Sequence, residues 1–192
     1  MELMLIRPND QKQVYGDTKE FTACESPYWA MMIAAYLRNL NHDIAILDAE
    51  AEDLSPDQTA SYVTNNNPNL IGLVVTGTNL SASTWKMEGA RAAAVAIRNA
   101  GYDGKIFFWG LHPSALPEQT LREEPTDFVI KGEGFQTIHQ LLENLNNSDL
   151  YEKIGGLYYK EKGRIKENPE ISLIQNLDEL PMQAFDMVDM KK

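Results

Sequence analysis

Leu70-Ile-Gly-Leu-Val-Val-Thr-Gly-Thr-Asn-Leu-Ser-Ala-Ser-Thr84 decides how this chain folds. A run of aliphatic and β-branched residues stops at Thr76-Gly77-Thr78, and a helix is expected from about Ala82 to Asn99. An unbroken apolar run of this length reads as a parallel strand buried on both faces. The hydroxyl-rich turn after it sits where open α/β sheets bind ligands, outside the carboxyl ends of the strands.

The same unit recurs on both sides. Leu3 to Ile6 reads as a first strand closed by Arg7-Pro8, since proline biases the residue before it away from helix. A long polar loop from Asn9 to Glu25 leads to Ser26-Pro27, a helix start, with apolar residues at helical spacing from Trp29 to Leu40. Asp43 to Leu47 is the second strand. Ser55-Pro56 opens a helix that stops at Asn65-Asn-Asn-Pro68. Lys105 to Trp109 and Phe128 to Ile130 are the fourth and fifth strands, with a short helix from Pro117 to Glu123 between them. Phe135, Ile138, Leu141, Leu142 and Leu145 form the stripe of the last helix. Strands alternating with helices imply a doubly wound, five-stranded parallel α/β sheet with right-handed crossovers over residues 1–150. Residues 151–168 read as a β-hairpin appendage turning at Gly163, and residues 169–192 as a linker tail.

Composition narrows the function. A net charge of −11 argues against nucleic acid and anionic membrane surfaces, which need clustered Lys and Arg. The single cysteine, Cys24, excludes an internal disulfide and any multi-cysteine metal or cluster site in this chain. No stretch reads as a signal peptide or membrane span, so the expected location is cytoplasmic. Metal-ligand spacing is not evident either, with no His-x-x-x-His and no cysteine pair. A Gly-x-Gly-x-x-Gly turn after the first strand is also missing, which disfavours a dinucleotide there. Cys24 and His112 share the ligand edge, but nothing local supports an activated thiol.

Concurrence of small residues points to one large ligand. Tyr15-Gly16 follows strand one, and Thr76, Gly77, Thr78, Ser81 and Ser83 follow strand three. Gly110 and His112 follow strand four, and Gly132-Glu133-Gly134 follows strand five. All should lie on one rim, where missing side chains let a bulky planar molecule approach the backbone. Singly, the hydroxyls also read as turn and capping groups, and Gly132 to Gly134 as an ordinary strand-to-helix turn. Trp29 and Trp85 read as core in preference to ligand stacking, and Asp48 to Asp53 as a solvated acidic loop.

Taken in order, these marks resemble the N-terminal cobalamin-binding domain of B12-dependent radical SAM enzymes. They are Arg7-Pro8, Tyr15-Gly16, Ala34-Ala35-Tyr36-Leu37 before His42, and Ile46-Leu47-Asp48-Ala49. They continue with Gly77 to Thr84, Gly110-Leu-His112-Pro113-Ser114 and Leu116-Pro117-Glu118. Asp127 to Gly134, Gly156-Leu-Tyr-Tyr, Leu177-Asp-Glu-Leu-Pro181 and Phe185-Asp186 complete the set. The resemblance implies a flavodoxin-like, Rossmann-like fold with the corrin over the carboxyl-terminal strand edge. It implies cobalamin as cofactor, bound through the rim residues above with Pro113 and Glu133, and cobalt present only through cobalamin. It also implies a methyltransferase-like or related radical reaction, with S-adenosylmethionine and a [4Fe-4S] cluster on a missing or partner domain. Two departures stand out. The Asp-x-His-x-x-Gly signature is missing from the loop after strand one, and Trp109 replaces the first of two glycines usual before the His-Pro pair. Competing readings are a flavin- or nucleotide-binding module on the same fold, or a regulatory domain whose cofactor site has decayed.

Overall fold

The computed structural model describes residues 1–11, 15–21, 24–76 and 80–189, and leaves out the side chains of 19–21 and 80–82. Five parallel strands form in the expected places: β1 (Leu3–Arg7), β2 (Ile44–Asp48), β3 (Leu70–Val75), β4 (Lys105–Gly110) and β5 (Phe128–Ile130). Their helices are α1 (Tyr28–Asn39), α2 (Pro56–Asn66), α3 (Leu80–Asn99), α4 (Leu111–Ala115), α5 (Pro117–Glu123) and α6 (Phe135–Glu143). Ser55 caps α2 through a reciprocal box: it accepts from the Gln58 backbone N–H, while the Gln58 side chain accepts from the Ser55 N–H. The structure adds α4, a short helix where the sequence suggests only a loop.

The sheet has seven strands, not five, in the order β2-β1-β3-β4-β5-β6-β7. The hairpin expected as an appendage, β6 (Leu157–Glu161) and β7 (Arg164–Glu167), pairs antiparallel with β5 and extends the sheet. Its inner residues Leu157, Tyr158 and Tyr159 are buried, and that burial draws the hairpin onto the sheet rather than leaving it in solvent.

Alternation along the strands feeds two cores. Leu3, Leu5, Leu70, Val74, Phe107 and Trp109 face α1 and α6; Met4, Ile6, Ile71, Leu73 and Phe108 face α2 and α3. The tail folds back over the first of these faces. Ala184 is fully buried with its N–H on the Met31 carbonyl at 3.3 Å, and Arg38 makes a bidentate ion pair with Asp186 at 2.6 and 3.0 Å. Ile174, Leu180 and Met187 pack against the core beside them.

Candidate cofactor site

Parallel register puts the last residues of five strands on one edge. Arg7 lies beside Asp48, Val75 beside Gly110, and Trp109 beside Ile130. β1 has β2 on one side and β3 on the other, so the chain reverses direction across the sheet at β1 and β3. That is the switch point at which a doubly wound sheet opens a ligand crevice.

The predicted site residues divide into three groups. Gly77 and Thr78 lie outside the described residues, as does the side chain of Ser81. Thr76 is half-buried at the end of β3. Tyr15 is exposed, Gly16 and Gly132 have open space where a Cβ would stand, and all three are accessible from the rim. The remaining ones are used by the protein itself. Ser83 is fully buried, donating to the Val75 carbonyl at 2.8 Å and accepting from the His112 N–H at 3.0 Å, so it joins β3, α3 and α4. Gly110 has φ +142°, and a Cβ there would strike the Val75 carbonyl. A Cβ on Gly134, at φ +82°, would enter the Trp109 indole. Glu133 accepts the Ile174 N–H at 2.8 Å and ties the β5 turn to the tail; Pro113 is the buried residue of α4.

His112 rests its Nδ1 3.0 Å from the Thr84 hydroxyl. Burial pushes its imidazole below the ordinary value, against a smaller upward pull from Glu124 and Glu123. Cys24 bonds to Arg7 instead, at 3.2 Å, and no Cys24–His112 bond exists among the described residues.

Three features of the rim were not legible as such in the sequence. Trp29 and Trp85, read as core, are 43% and 61% exposed, so that reading is corrected. Each stands in the first turns of a helix that follows a strand, and those turns face the open edge. Trp109 is the buried partner: its indole N–H donates to the Gly132 carbonyl at 2.9 Å and its ring meets Trp29 edge-on at 5.9 Å. All three tryptophans of the chain therefore stand at the carboxyl edge. The acidic loop after β2 is likewise not simply solvated. Asp48 is doubly bonded to Arg7 at 2.7 and 2.8 Å, and Glu50 is buried against Lys86 at 2.9 Å. Lys86 also reaches the buried Asp10 at 3.0 Å, and Arg7 donates to the Glu25 carbonyl. Burial works to lower the pKa of Lys86, but Glu50 and Asp10 outweigh it and hold the ammonium charged.

A cavity of about 320 Å³ opens at the β5 end of the rim, between Leu111, Ser114, Gly132 and Glu133 on one side and Ile171 and Leu173 of the tail on the other. Tyr15, Tyr28, Trp29, Trp85 and Leu111 expose large apolar surfaces along the elements that follow the strands. That surface fits a wide, largely apolar ring system held edge-to-face and from above. The charged groups at the cavity are already partnered: Lys131 with Glu170 at 2.6 Å, and Glu133 with the Ile174 N–H.

A family model described as the B12 binding domain matches residues 17–142. An uncharacterized methyltransferase of Pyrococcus horikoshii is 30% identical over 193 residues, all of this chain but only 40% of that protein. The anaerobic magnesium-protoporphyrin IX monomethyl ester cyclase of Synechocystis sp. is 26% identical over 86% of this chain and 32% of its own length. The chain thus spans less than half the length of these relatives. Among solved structures, the radical S-adenosylmethionine methyltransferase TsrM from Kitasatospora setae, with cobalamin and a [4Fe-4S] cluster bound, superposes at a TM-score of 0.69. It is 16% identical, over 94% of this chain and 31% of that one. The cobalamin-dependent radical enzyme OxsB, with aqua-cobalamin and S-adenosylmethionine bound, also reaches 0.69, at 20% identity over 90% of this chain and 22% of its own. These two likenesses establish the shared fold. Sheet order, rim and family model converge, and the chain belongs to the B12-binding domain family.

Proposed function

We propose that this chain is the cobalamin-binding module of a B12-dependent radical SAM enzyme. The observation that carries it is a single strand edge combining a switch point, exposed aromatic surface and all three tryptophans. When bound, cobalamin would supply a methyl-carrying or radical-assisting cobalt. The residues of this chain would hold the corrin over the rim at Tyr15, Gly16 and the Gly132 turn. Thr76, Thr78 and Ser81 would bond the nucleotide tail beside β3. Cobalt would lack an imidazole from the loop after β1, because the three histidines of the chain stand elsewhere, at 42, 112 and 139. S-adenosylmethionine and a [4Fe-4S] cluster would belong to a second domain, fused or separate, since one cysteine cannot supply a cluster's thiolates. A cytoplasmic location accords with the finding that no helix among the described residues is long and apolar enough to cross a membrane.

One observation favours a second reading, a decayed site: Trp109 occupies the space against Gly134. Reconstitution separates the two. The chain is incubated with hydroxocobalamin, desalted and scanned in the visible, with tryptophan fluorescence followed during titration. Retained cobalt bands and strong quenching are expected, and Thr76→Trp should weaken retention without unfolding the chain. Complete loss of colour with unchanged fluorescence would overturn the cobalamin reading. Gly110 is a poor site for this test, because any side chain there strikes β3.

A further inference from the structure

We infer that the edge of the sheet opposite the rim carries a divalent transition-metal site, with zinc the best match, built from His42, His139 and Glu143. His42 stands in the turn between α1 and β2; His139 and Glu143 lie one helical turn apart at the end of α6. His42 Nε2 is 2.9 Å from His139 Nδ1 and 3.7 Å from Glu143 Oε1, and the three ligand atoms all lie within 4.8 Å of one another. In a tetrahedral zinc site with bonds of about 2.0–2.1 Å, ligand atoms sit roughly 3.4 Å apart. The first two separations bracket that value.

A fourth residue prepares the site. Glu2 Oε2 lies 3.0 Å from His42 Nδ1 and also accepts the Asp43 N–H. A carboxylate only accepts, so Nδ1 carries the proton and the Nε2 lone pair faces the cluster. A carboxylate behind a ligating imidazole, fixing its tautomer, is the usual support of a metal-bound histidine. Without metal, His139 must donate its Nδ1–H to that lone pair. On binding, the proton moves to His139 Nε2 and Nδ1 becomes a ligand. Two nitrogens and one carboxylate oxygen suit zinc better than magnesium or calcium, which prefer oxygen alone. Water would complete the coordination, as Glu143 opens to solvent. The ion would clip α6 to the turn before β2, which are 97 residues apart in the chain at the histidines.

The test uses the 192-residue chain, treated with chelator and desalted, then titrated with zinc chloride against a chromophoric chelator. A single zinc per chain is expected, and cobalt(II) should give the visible bands of a four-coordinate site. His139→Ala and Glu143→Ala should each weaken binding at least about tenfold, and Glu2→Gln about tenfold. Cys24→Ser, at the far edge, should change nothing. Substoichiometric zinc, or full affinity retained in His139→Ala, would overturn the assignment. Both α6 variants alter partly or fully exposed positions, so circular dichroism should report a folded chain in each. The result is independent of cobalamin retention.

Discussion

The two halves of the rim are built from opposite materials. On the β1–β2 side the loops are locked by charge: Arg7 with Asp48, and Lys86 with Asp10 and Glu50. On the β4–β5 side they are set by ring and glycine contacts, with Trp109 laid over Gly134 and against Trp29. A buried ion lattice is rigid and costly to disturb, because losing one partner strands the other in low dielectric. Aromatic packing beside a glycine turn can be remade at lower cost. The charged half thus acts as a fixed anvil for the loops, and the aromatic half is the side on which the proposed ligand would gain entry.

The sharpest break of this contrast is Arg7→Met. It leaves Asp48, whose side chain is 11% exposed, without its cation, and should lower stability by about 3–5 kcal/mol in urea denaturation. A loss under about 1 kcal/mol would mean that the lattice is cosmetic. Trp109→Gly tests the other half: it should destabilise by about 3 kcal/mol yet tighten hydroxocobalamin binding roughly tenfold, by vacating the space against Gly134. Weaker binding in this variant would make the indole a platform rather than a plug. Ser83→Ala, at the join between the halves, leaves the Val75 carbonyl and His112 N–H unpaired and should cost about 1–3 kcal/mol in the same assay.

The smallest effect belongs to the tail. Hydrogen bonding to Arg38, with its positive charge, holds the Asp186 carboxyl below its ordinary value of 3.8. The pair therefore contributes above that pH and is lost as pH falls through the depressed value. Both groups face solvent, so release of the tail in acid should be slight and should fade with salt, as read by protease cleavage between 170 and 189.

How much of this could be read from residues alone depends on the distance over which each interaction acts. Strands, the helix start at Ser55-Pro56 and the shared rim follow from local runs and from parallel register, and they are legible. Lys86 meets partners 76 and 36 residues away, so the apparent solvated loop at Asp48 to Asp53 conceals buried carboxylates until the register is known. Helical spacing identifies an apolar face at Trp29 but not whether anything covers it. Turn chemistry found the hairpin, whereas its pairing with β5 is a tertiary event. His42 and His139 stand 97 residues apart, so no short spacing in the sequence links them.

The strap from 169 to 189 has one more consequence. It starts beyond β7, at one border of the sheet, and its last described residues, Met187, Val188 and Asp189, lie against Ile46, Asp48 and Glu52 at the other. A domain joined beyond the strap would therefore set out from beside β2, and the docked length of tail would add nothing to its reach.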